Sequence, residues 1–126
     1  MGLDVTRKTL LRPEHLEYLS SLGTAEAEFV ARSAQIYLEF SKKRFGINGC
    51  ALHDPLTVGV AIDSTLVETR SMFVDVEITG ELTRGMTLGD YYNTTGKEPN
   101  MRVCLDVDEE RFVDLFVRRI ADRSGY

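Results

Sequence analysis

The stretch GCALHDPLTVGV, residues 49–60, places a histidine and an aspartate side by side directly before Pro55. A histidine side chain exchanges protons near neutral pH, so His53 is a candidate general acid. The carboxylate of Asp54 is a candidate ligand of a hard cation, but such cations take about six to eight oxygen ligands, so the others would come from elsewhere. A structural explanation stands beside these, because Pro55 fits the first position of a helix and Asp54 fits its N-cap.

Two further acidic groups have simpler structural explanations. The run DVDEE, residues 106–110, lacks the spacing and the glycine of a calcium loop, and its acids complement the dipole of a helix that starts there. Asp75 and Glu77 fall on one face of a predicted strand and resemble a glycosidase carboxylate pair, yet an exposed strand face explains them more simply. The sequence contains no GxSxG, P-loop or GxGxxG motif.

Length and composition narrow the class of protein. The 126 residues are enough for one domain, which we assign to 1–126. The net charge of -5 argues against a nucleic-acid partner, which needs clustered Lys and Arg. Cys50 and Cys104 form no CxxC pair, so we expect two reduced thiols. Neither a run of about 18 apolar residues nor a signal peptide is visible, so we expect no membrane partner and a cytoplasmic location.

Four helices are predicted from apolar spacing and from helix-end signals. The first lies between Pro13 and Gly23, and the second runs from about residue 25 to 44, with Thr24 as its cap and Gly46 as its stop. The broad apolar face of the second is predicted to be core: Phe29, Val30, Ala34, Ile36, Tyr37 and Phe40. The third starts at Pro55. The fourth starts near Asp108, with a predicted buried face and a basic C-terminal end: Phe112, Leu115, Phe116 and Ile120, then Arg118, Arg119 and Arg123.

Strand patterns occupy the rest of the chain. Residues 2–6 read as a short strand, 71–80 alternate as a half-buried strand, and 84–92 predict another after a turn at Gly85. Residues 93–100 have loop composition. In MRVCLDV, four residues are predicted to point inward: Met101, Val103, Leu105 and Val107. Helices mixed with strands along one chain indicate an α/β or α+β protein.

Three blocks together resemble the C-terminal part of the inosine-uridine preferring nucleoside hydrolase family. They are GLDVTRKTLL, HDPLTVGVAID and VDVEITGELTRGMTLGDYYNTTGKEPN, in this order and at matching spacing. The resemblance covers nearly the whole chain, and the combination of the His-Asp-Pro-Leu block with the later Gly-Glu-Leu-Thr-Arg-Gly run is specific. It implies an α/β, Rossmann-like fold.

The resemblance also implies an activity and roles for three residues. Members of the family hydrolyse the N-glycosidic bond of ribonucleosides, and a bound calcium holds the ribose hydroxyls and the attacking water. By resemblance, His53 protonates the leaving base and Asp54 is a calcium ligand. Phe45 stands where members often have tyrosines that reach the base, which makes it a substrate-binding candidate without a hydroxyl.

The departures from the family pattern shape the functional expectation. The family's Asp-x-Asp-Pro-Gly-x-Asp-Asp cluster, which supplies most calcium carboxylates and the general base, is absent from these 126 residues, and Arg7 stands where many members have histidine. We therefore expect a half-site that another chain or further sequence must complete, with a second copy of the chain or a missing N-terminal half as its protein partner. The alternatives are a non-catalytic domain that forms homo-oligomers or binds a partner, and a gene remnant without a function.

Overall fold

The structure, a computed structural model, describes residues 1–122. Its helices are α1 Leu3–Thr6, α2 Pro13–Ser21, α3 Ala25–Phe45, α4 His53–Ile62 and α5 Glu109–Ala121. Its strands are β1 Leu10–Leu11, β2 Cys50–Ala51, β3 Val67–Met72, β4 Val74–Val76, β5 Thr87–Gly89 and β6 Met101–Val107. A short 3₁₀ turn, Ser64–Leu66, connects α4 to β3. The predicted mixture of helices and strands is confirmed.

The described strands form three antiparallel pairs. β3 pairs with β6 from Val67–Val107 to Met72–Met101, with an irregularity between Glu68 and Thr69. β4 pairs with β5, and the short β1 pairs with β2. The β1–β2 pair matters most for function, because β2 ends just before the His-Asp dipeptide.

The core gathers side chains from all five helices and the segments between them. The largest fully buried side chains are Phe112, Leu11, Leu19, Leu56, Leu66 and Val5. α4 and α5 approach closely at Gly59, where a Cβ atom would lie 2.7 Å from Cε2 of Phe112. Arg111 of α5 also donates hydrogen bonds to the side chains of Asp63 and Thr65, at the end of α4. These contacts hold α4, which carries the His-Asp pair, against α5.

The ends of the second predicted helix are confirmed. Thr24 is the N-cap of α3, and its hydroxyl oxygen accepts a hydrogen bond from the N–H of Ala27 at 3.3 Å. Gly46 follows the last residue with a φ of 70°, a left-handed conformation that favours glycine. Local capping chemistry therefore decides where this helix begins and ends.

The predicted core face of α3 is wrong for four of its six residues. Phe29, Ile36, Tyr37 and Phe40 are between 55% and 74% exposed, whereas Val30 and Ala34 pack partly buried against the core. The buried residues of the helix are Ala27, Ala31, Leu38 and Ser41. These buried residues are mostly small, and α2 packs against α3. The helix is apolar around more of its circumference than α2 covers, so the aromatic side is left uncovered.

The predicted opening strand is also wrong, because residues 3–6 form the single helical turn α1. The N–H groups of Val5 and Thr6 both donate to the carbonyl of Gly2. In a strand Leu3 and Val5 would share one face. Instead Val5 and Thr6 are both buried while Leu3 is exposed, and burying two successive residues suits a helical turn better than an alternating strand.

The predicted strand at 71–80 is shorter and less buried than expected. β3 ends at Met72, and β4 covers only Val74–Val76. The carboxylate of Glu77 then accepts the N–H groups of Thr79 and Gly80, which turns the chain and lowers the pKa of Glu77. Val76 and Ile78 are exposed, since β4 pairs with β5 and no further layer of the described residues covers that face.

The C-terminal elements agree better with their predictions. β6 spans the predicted strand, with Val107 buried, although Met101 is exposed at its free end. The side chain of Asp108 accepts the N–H of Arg111 and caps α5. Phe112 is buried, and the other predicted face residues pack partly buried against the core: Leu115, Phe116 and Ile120. Arg118 and Arg119 occupy the last turn, whereas Arg123 lies outside the described residues. Within residues 1–122, no helix combines the length and apolarity needed to cross a membrane.

Candidate functional site

His53 is the first residue of α4, and the chain leading to it is tied down by β1 and β2. Cys50 pairs with Leu11, and the N–H of Leu52 donates to the carbonyl of Thr9 at 2.9 Å. Leu52 is buried, so the backbone just before His53 has little freedom. The histidine therefore emerges from a rigid strand-to-helix junction.

The predicted capping role of Asp54 is wrong. The helix begins earlier than the sequence predicted, so Leu52 is the N-cap residue and Asp54 lies in the first turn. The Asp54 side chain is exposed and makes no capping hydrogen bond, whereas its backbone carbonyl accepts the hydroxyl of Thr57 at 2.7 Å. A carboxylate in the first turn still benefits from the helix dipole. Its oxygens remain available to a ligand.

The imidazole ring of His53 is held by a residue that the sequence did not single out. Its Nδ1 atom lies 2.7 Å from the hydroxyl oxygen of Thr6, and the ring is half-buried. Thr6 is itself 5% exposed. The contact engages one ring nitrogen and leaves Nε2 for another partner. Thr6 lies in the GLDVT block, but no local spacing rule connects it to a histidine 47 positions later.

Phe45 is the last residue of α3, and its side chain is 61% exposed. Its ring meets Phe40 edge to face, with centroids 5.9 Å apart, and Phe40 in turn contacts Tyr37. Within residues 1–122, no hydrogen bond or ring contact joins Phe45 to His53 or Asp54. The structure thus brings His53 together with Thr6, and it places Phe45 in an exposed aromatic cluster.

The described residues do not supply a complete cation site. Among residues 1–122, no group of three or more His, Cys, Asp or Glu side chains is close enough to hold a metal ion. Asp54 alone offers too few oxygens for calcium, which takes about six to eight. The donor set therefore does not fit a calcium ion unless other carboxylates join it.

The remaining acidic and thiol groups have structural roles. Asp106 forms an ion pair with Lys8 at 2.6 Å, and the Lys8 hydrogen bond lowers the pKa of Asp106. The carboxylate of Asp75, on the exposed β4–β5 hairpin, lies 3.9 Å from the Nζ atom of Lys97. Cys50 and Cys104 are free thiols, as predicted, and burial raises the pKa of Cys50. These positions support the structural explanations of the acidic runs.

A separate cleft of about 350 Å³ lies between α2 and α5 and does not include His53 or Asp54. Basic and acidic side chains both line this cleft, among them Lys8, Arg12, Glu109 and Glu110. The Nδ1 atom of His15, at its rim, accepts the N–H of Arg12 at 2.9 Å. That bond closes the start of α2, so His15 has a structural explanation.

Comparison with known proteins decides the family. The sequence model of the inosine-uridine preferring nucleoside hydrolases matches residues 1–114. The chain belongs to this family. The resemblance carried by the three sequence blocks is thereby confirmed.

Individual nucleoside hydrolases show how much of the family the chain represents. It is 38% identical over 121 residues to the pyrimidine-specific ribonucleoside hydrolase RihA of Klebsiella pneumoniae, covering 95% of this chain and 39% of that enzyme. It superimposes on the purine-preferring ribonucleoside hydrolase from Gardnerella vaginalis with a TM-score of 0.85 and 37% identity, covering 95% of this chain and 38% of the other. The chain thus spans about two fifths of these nucleoside hydrolases, consistent with the predicted match to their C-terminal part.

Proposed function

We propose that this chain is the C-terminal portion of a ribonucleoside hydrolase and that His53 is its general acid. The observation that supports the proposal best is the setting of His53. The ring sits at a rigid strand-to-helix junction, Thr6 holds Nδ1, and Nε2 is left to face a substrate. A proton donor must be placed within hydrogen-bond reach of the atom it protonates, and a held ring satisfies that need.

The chemistry asked of His53 is limited and specific. When the C1′–N bond of a ribonucleoside breaks, the base leaves with the electron pair and the ribose gains oxocarbenium character. A proton delivered from Nε2 to the base neutralises the charge that develops on it. A positioned general acid accelerates such a step by about 10²–10⁴, which corresponds to roughly 3–5 kcal/mol.

The same proposal assigns Asp54 one position in a calcium site that other residues complete. Calcium bound there would hold and polarise the attacking water. The exposed, uncapped carboxylate is compatible with that role. Since the described donors do not complete a site, the other carboxylates belong to the part of the fold that this chain does not match.

Phe45 is the proposed contact for the nucleobase. A phenyl ring offers its face for stacking, which every base accepts, and it has no hydroxyl for a hydrogen bond. The two relatives compared above have opposite base preferences, pyrimidine and purine, at nearly equal identity to this chain. Overall similarity therefore favours neither base class for this protein.

A second candidate function is association without catalysis. The exposed apolar side chains of α3 form one surface, which we call the α3 surface: Phe29, Ile36, Tyr37 and Phe40. Large exposed apolar patches mark interaction sites. Both a second copy of this chain and the N-terminal portion of a nucleoside hydrolase are proposed partners for it.

An activity assay with and without a separate N-terminal portion distinguishes the two candidate functions. The purified chain is assayed on inosine and uridine, alone and together with the N-terminal portion of a related nucleoside hydrolase that carries the aspartate cluster. We expect weak calcium binding and no detectable hydrolysis alone, and activity on mixing that His53→Ala abolishes. Association of the chain with no activity under either condition would favour the non-catalytic candidate. Robust hydrolysis by the chain alone would mean that acids such as Asp75, Glu77 or Glu81 form a site.

A further inference from the structure

The hydrogen bond between Thr6 and His53 is buried on the threonine side. The hydroxyl oxygen lies 2.7 Å from Nδ1, and Thr6 is 5% exposed. Within residues 1–122, this is the only hydrogen bond of the Thr6 hydroxyl. Which of the two groups donates follows from where the hydroxyl proton and the ring proton can go. If Nδ1 carried the proton, the hydroxyl oxygen would accept it, and the hydroxyl proton would be buried without an acceptor.

We propose that Thr6 is a positioning residue whose hydroxyl donates to Nδ1 and so holds neutral His53 as the tautomer with its proton on Nε2. In this arrangement the buried hydroxyl proton of Thr6 has Nδ1 as its acceptor. The ring nitrogen that faces away from Thr6 then carries the proton that a general acid must deliver. This consequence for catalysis rests on the proposed function, whereas the tautomer itself does not.

Hydrogen bonds around Thr6 fix the positions of Thr6 and His53 relative to each other. The hydroxyl of Thr9 donates to the backbone carbonyl of Thr6 at 2.9 Å, and Thr9 is fully buried. The carbonyl of Thr9 accepts the N–H of Leu52, the residue directly before His53, at 2.9 Å. The chain of contacts therefore closes on itself, from Thr6 through Thr9 and Leu52 to His53. A ring held in this way keeps its orientation without help from a substrate.

The Thr6–His53 contact also gives the helical turn α1 a role. The compact turn buries Val5 and Thr6 together and leaves the Thr6 side chain in reach of α4. Loss of the hydroxyl should release the ring but spare the turn, because Thr9 binds the backbone of Thr6 and not its side chain. Thr6→Val and Thr6→Ser therefore form a matched pair, with the hydroxyl removed in the first and kept in the second.

The tautomer can be read directly in the 126-residue chain by NMR with ¹⁵N-labelled histidine at alkaline pH, where histidine side chains are neutral. The protein has two histidines, and His15 is an internal reference. The Nδ1 atom of His15 accepts a backbone N–H, which only donates, so its neutral ring must carry the proton on Nε2. We expect His53 to show the same unprotonated Nδ1 signal as His15 in the wild type and in Thr6→Ser. In Thr6→Val the His53 Nδ1 signal should move toward the average of the two tautomers, while His15 stays unchanged.

Two results would overturn the proposal: a protonated Nδ1 on His53 in the wild type, or His53 signals in Thr6→Val that match the wild type. The wild-type spectrum decides the question even if Thr6→Val does not fold. Activity of the mixed enzyme is a separate test of the link to catalysis. There, Thr6→Val should lower kcat on inosine more than it raises KM, and Thr6→Ser should restore kcat. The expected NMR result together with an unchanged kcat would keep Thr6 as the holder of His53 and would reject the link between this tautomer and catalysis, whereas His53→Ala tests the general-acid role itself.

Discussion

The Nδ1 atom of His53 and the hydroxyl of Thr6 meet at 2.7 Å, although the two residues are 47 positions apart in the chain. One residue lies in a single helical turn near the start of the chain, and the other opens α4. This contact orients the ring that the proposed reaction requires.

His53→Ala should lower kcat of the mixed enzyme on inosine by about 10²–10⁴ and change KM less. A nucleoside analogue with a leaving group that needs no proton, such as p-nitrophenyl riboside, should be much less affected. Steady-state kinetics on both substrates checks this, with His15→Ala as the matched control. An equal loss on the two substrates would contradict the role of His53 as a general acid.

Asp54→Asn should weaken calcium binding by the mixed enzyme and leave the stability of this chain within about 0.5 kcal/mol. The reason is that the carboxylate is exposed and makes no capping hydrogen bond. Calorimetric calcium titration and thermal melting measure the two effects. Asp4→Asn, another exposed acid in a first helical turn, is the control. Unchanged calcium affinity in Asp54→Asn would remove Asp54 from the proposed site.

Gly59→Ala should destabilise the chain, because the new Cβ atom would lie 2.7 Å from the buried ring of Phe112. Overpacking costs about 1–3 kcal/mol, and the better helix propensity of alanine offsets up to about 1 kcal/mol of that. Urea denaturation gives the free energy of unfolding. Val58→Ala, at an exposed position of the same helix, should change it by less than about 0.5 kcal/mol. Adding Phe112→Leu to Gly59→Ala should cost less than the two single changes together if the clash is real.

Asp90 should titrate at an unusually low pH. Its carboxylate accepts hydrogen bonds from the hydroxyls and N–H groups of Thr94 and Thr95, and the Thr95 hydroxyl contributes most to lowering its pKa to about 2. Because the folded value lies below the ordinary value of about 3.9, protonation favours an open loop. The contribution of Asp90 to stability is therefore fully present above about pH 4 and is lost as the pH falls toward 2.

An NMR titration of the Asp90 carboxyl carbon measures this pKa. Thr95→Val should raise it toward the ordinary aspartate value, and Thr83→Val, in the neighbouring hairpin, should leave it unchanged. The amide signals of residues 93–100 should broaden or shift over the same pH range. A pKa of Asp90 that is insensitive to Thr95→Val would contradict the hydrogen-bonded loop.

The α3 surface should drive association. Its aromatic and aliphatic side chains are more than half exposed, so their burial between molecules removes apolar area from water. Analytical ultracentrifugation of the chain should show a mass that rises with concentration, and the double variant Phe29→Lys/Ile36→Lys should shift it toward the monomer. Ser33→Lys, an exposed polar position of the same helix, is the control for added charge. A monomer at all concentrations would leave the α3 surface without a role in self-association.

Much of the architecture could be predicted from local sequence. Thr24 and Gly46 carry the capping chemistry that defines α3, and Asp108 does the same for the start of α5. These signals work because a cap satisfies backbone groups within one turn and needs nothing from the rest of the chain. The family resemblance could also be stated from the sequence, since each of the three blocks is a continuous stretch of residues.

Other outcomes depended on what each element packs against. The periodicity of α3 identified an apolar face, but the packing of α2, β2 and α5 against the helix leaves Ala27, Ala31 and Leu38 buried instead. Asp54 had the right type and place for a cap, yet the β1–β2 pair and the hydrogen bond of Leu52 start the helix earlier. Cap and core positions are set by neighbours that a linear pattern does not specify.

The sequence by itself determined the family, the mixed helices and strands, the extent of α3, the start of α5, and the candidacy of His53 and Asp54. Only the tertiary structure decided that Asp54 is uncapped and that Thr6 holds the ring of His53. The physical reason is the separation along the chain of the residues that each interaction joins. Periodicity and capping act over a few residues, whereas the Thr6–His53 bond joins two distant segments that the β1–β2 pair and the core around Val5 and Leu56 bring together.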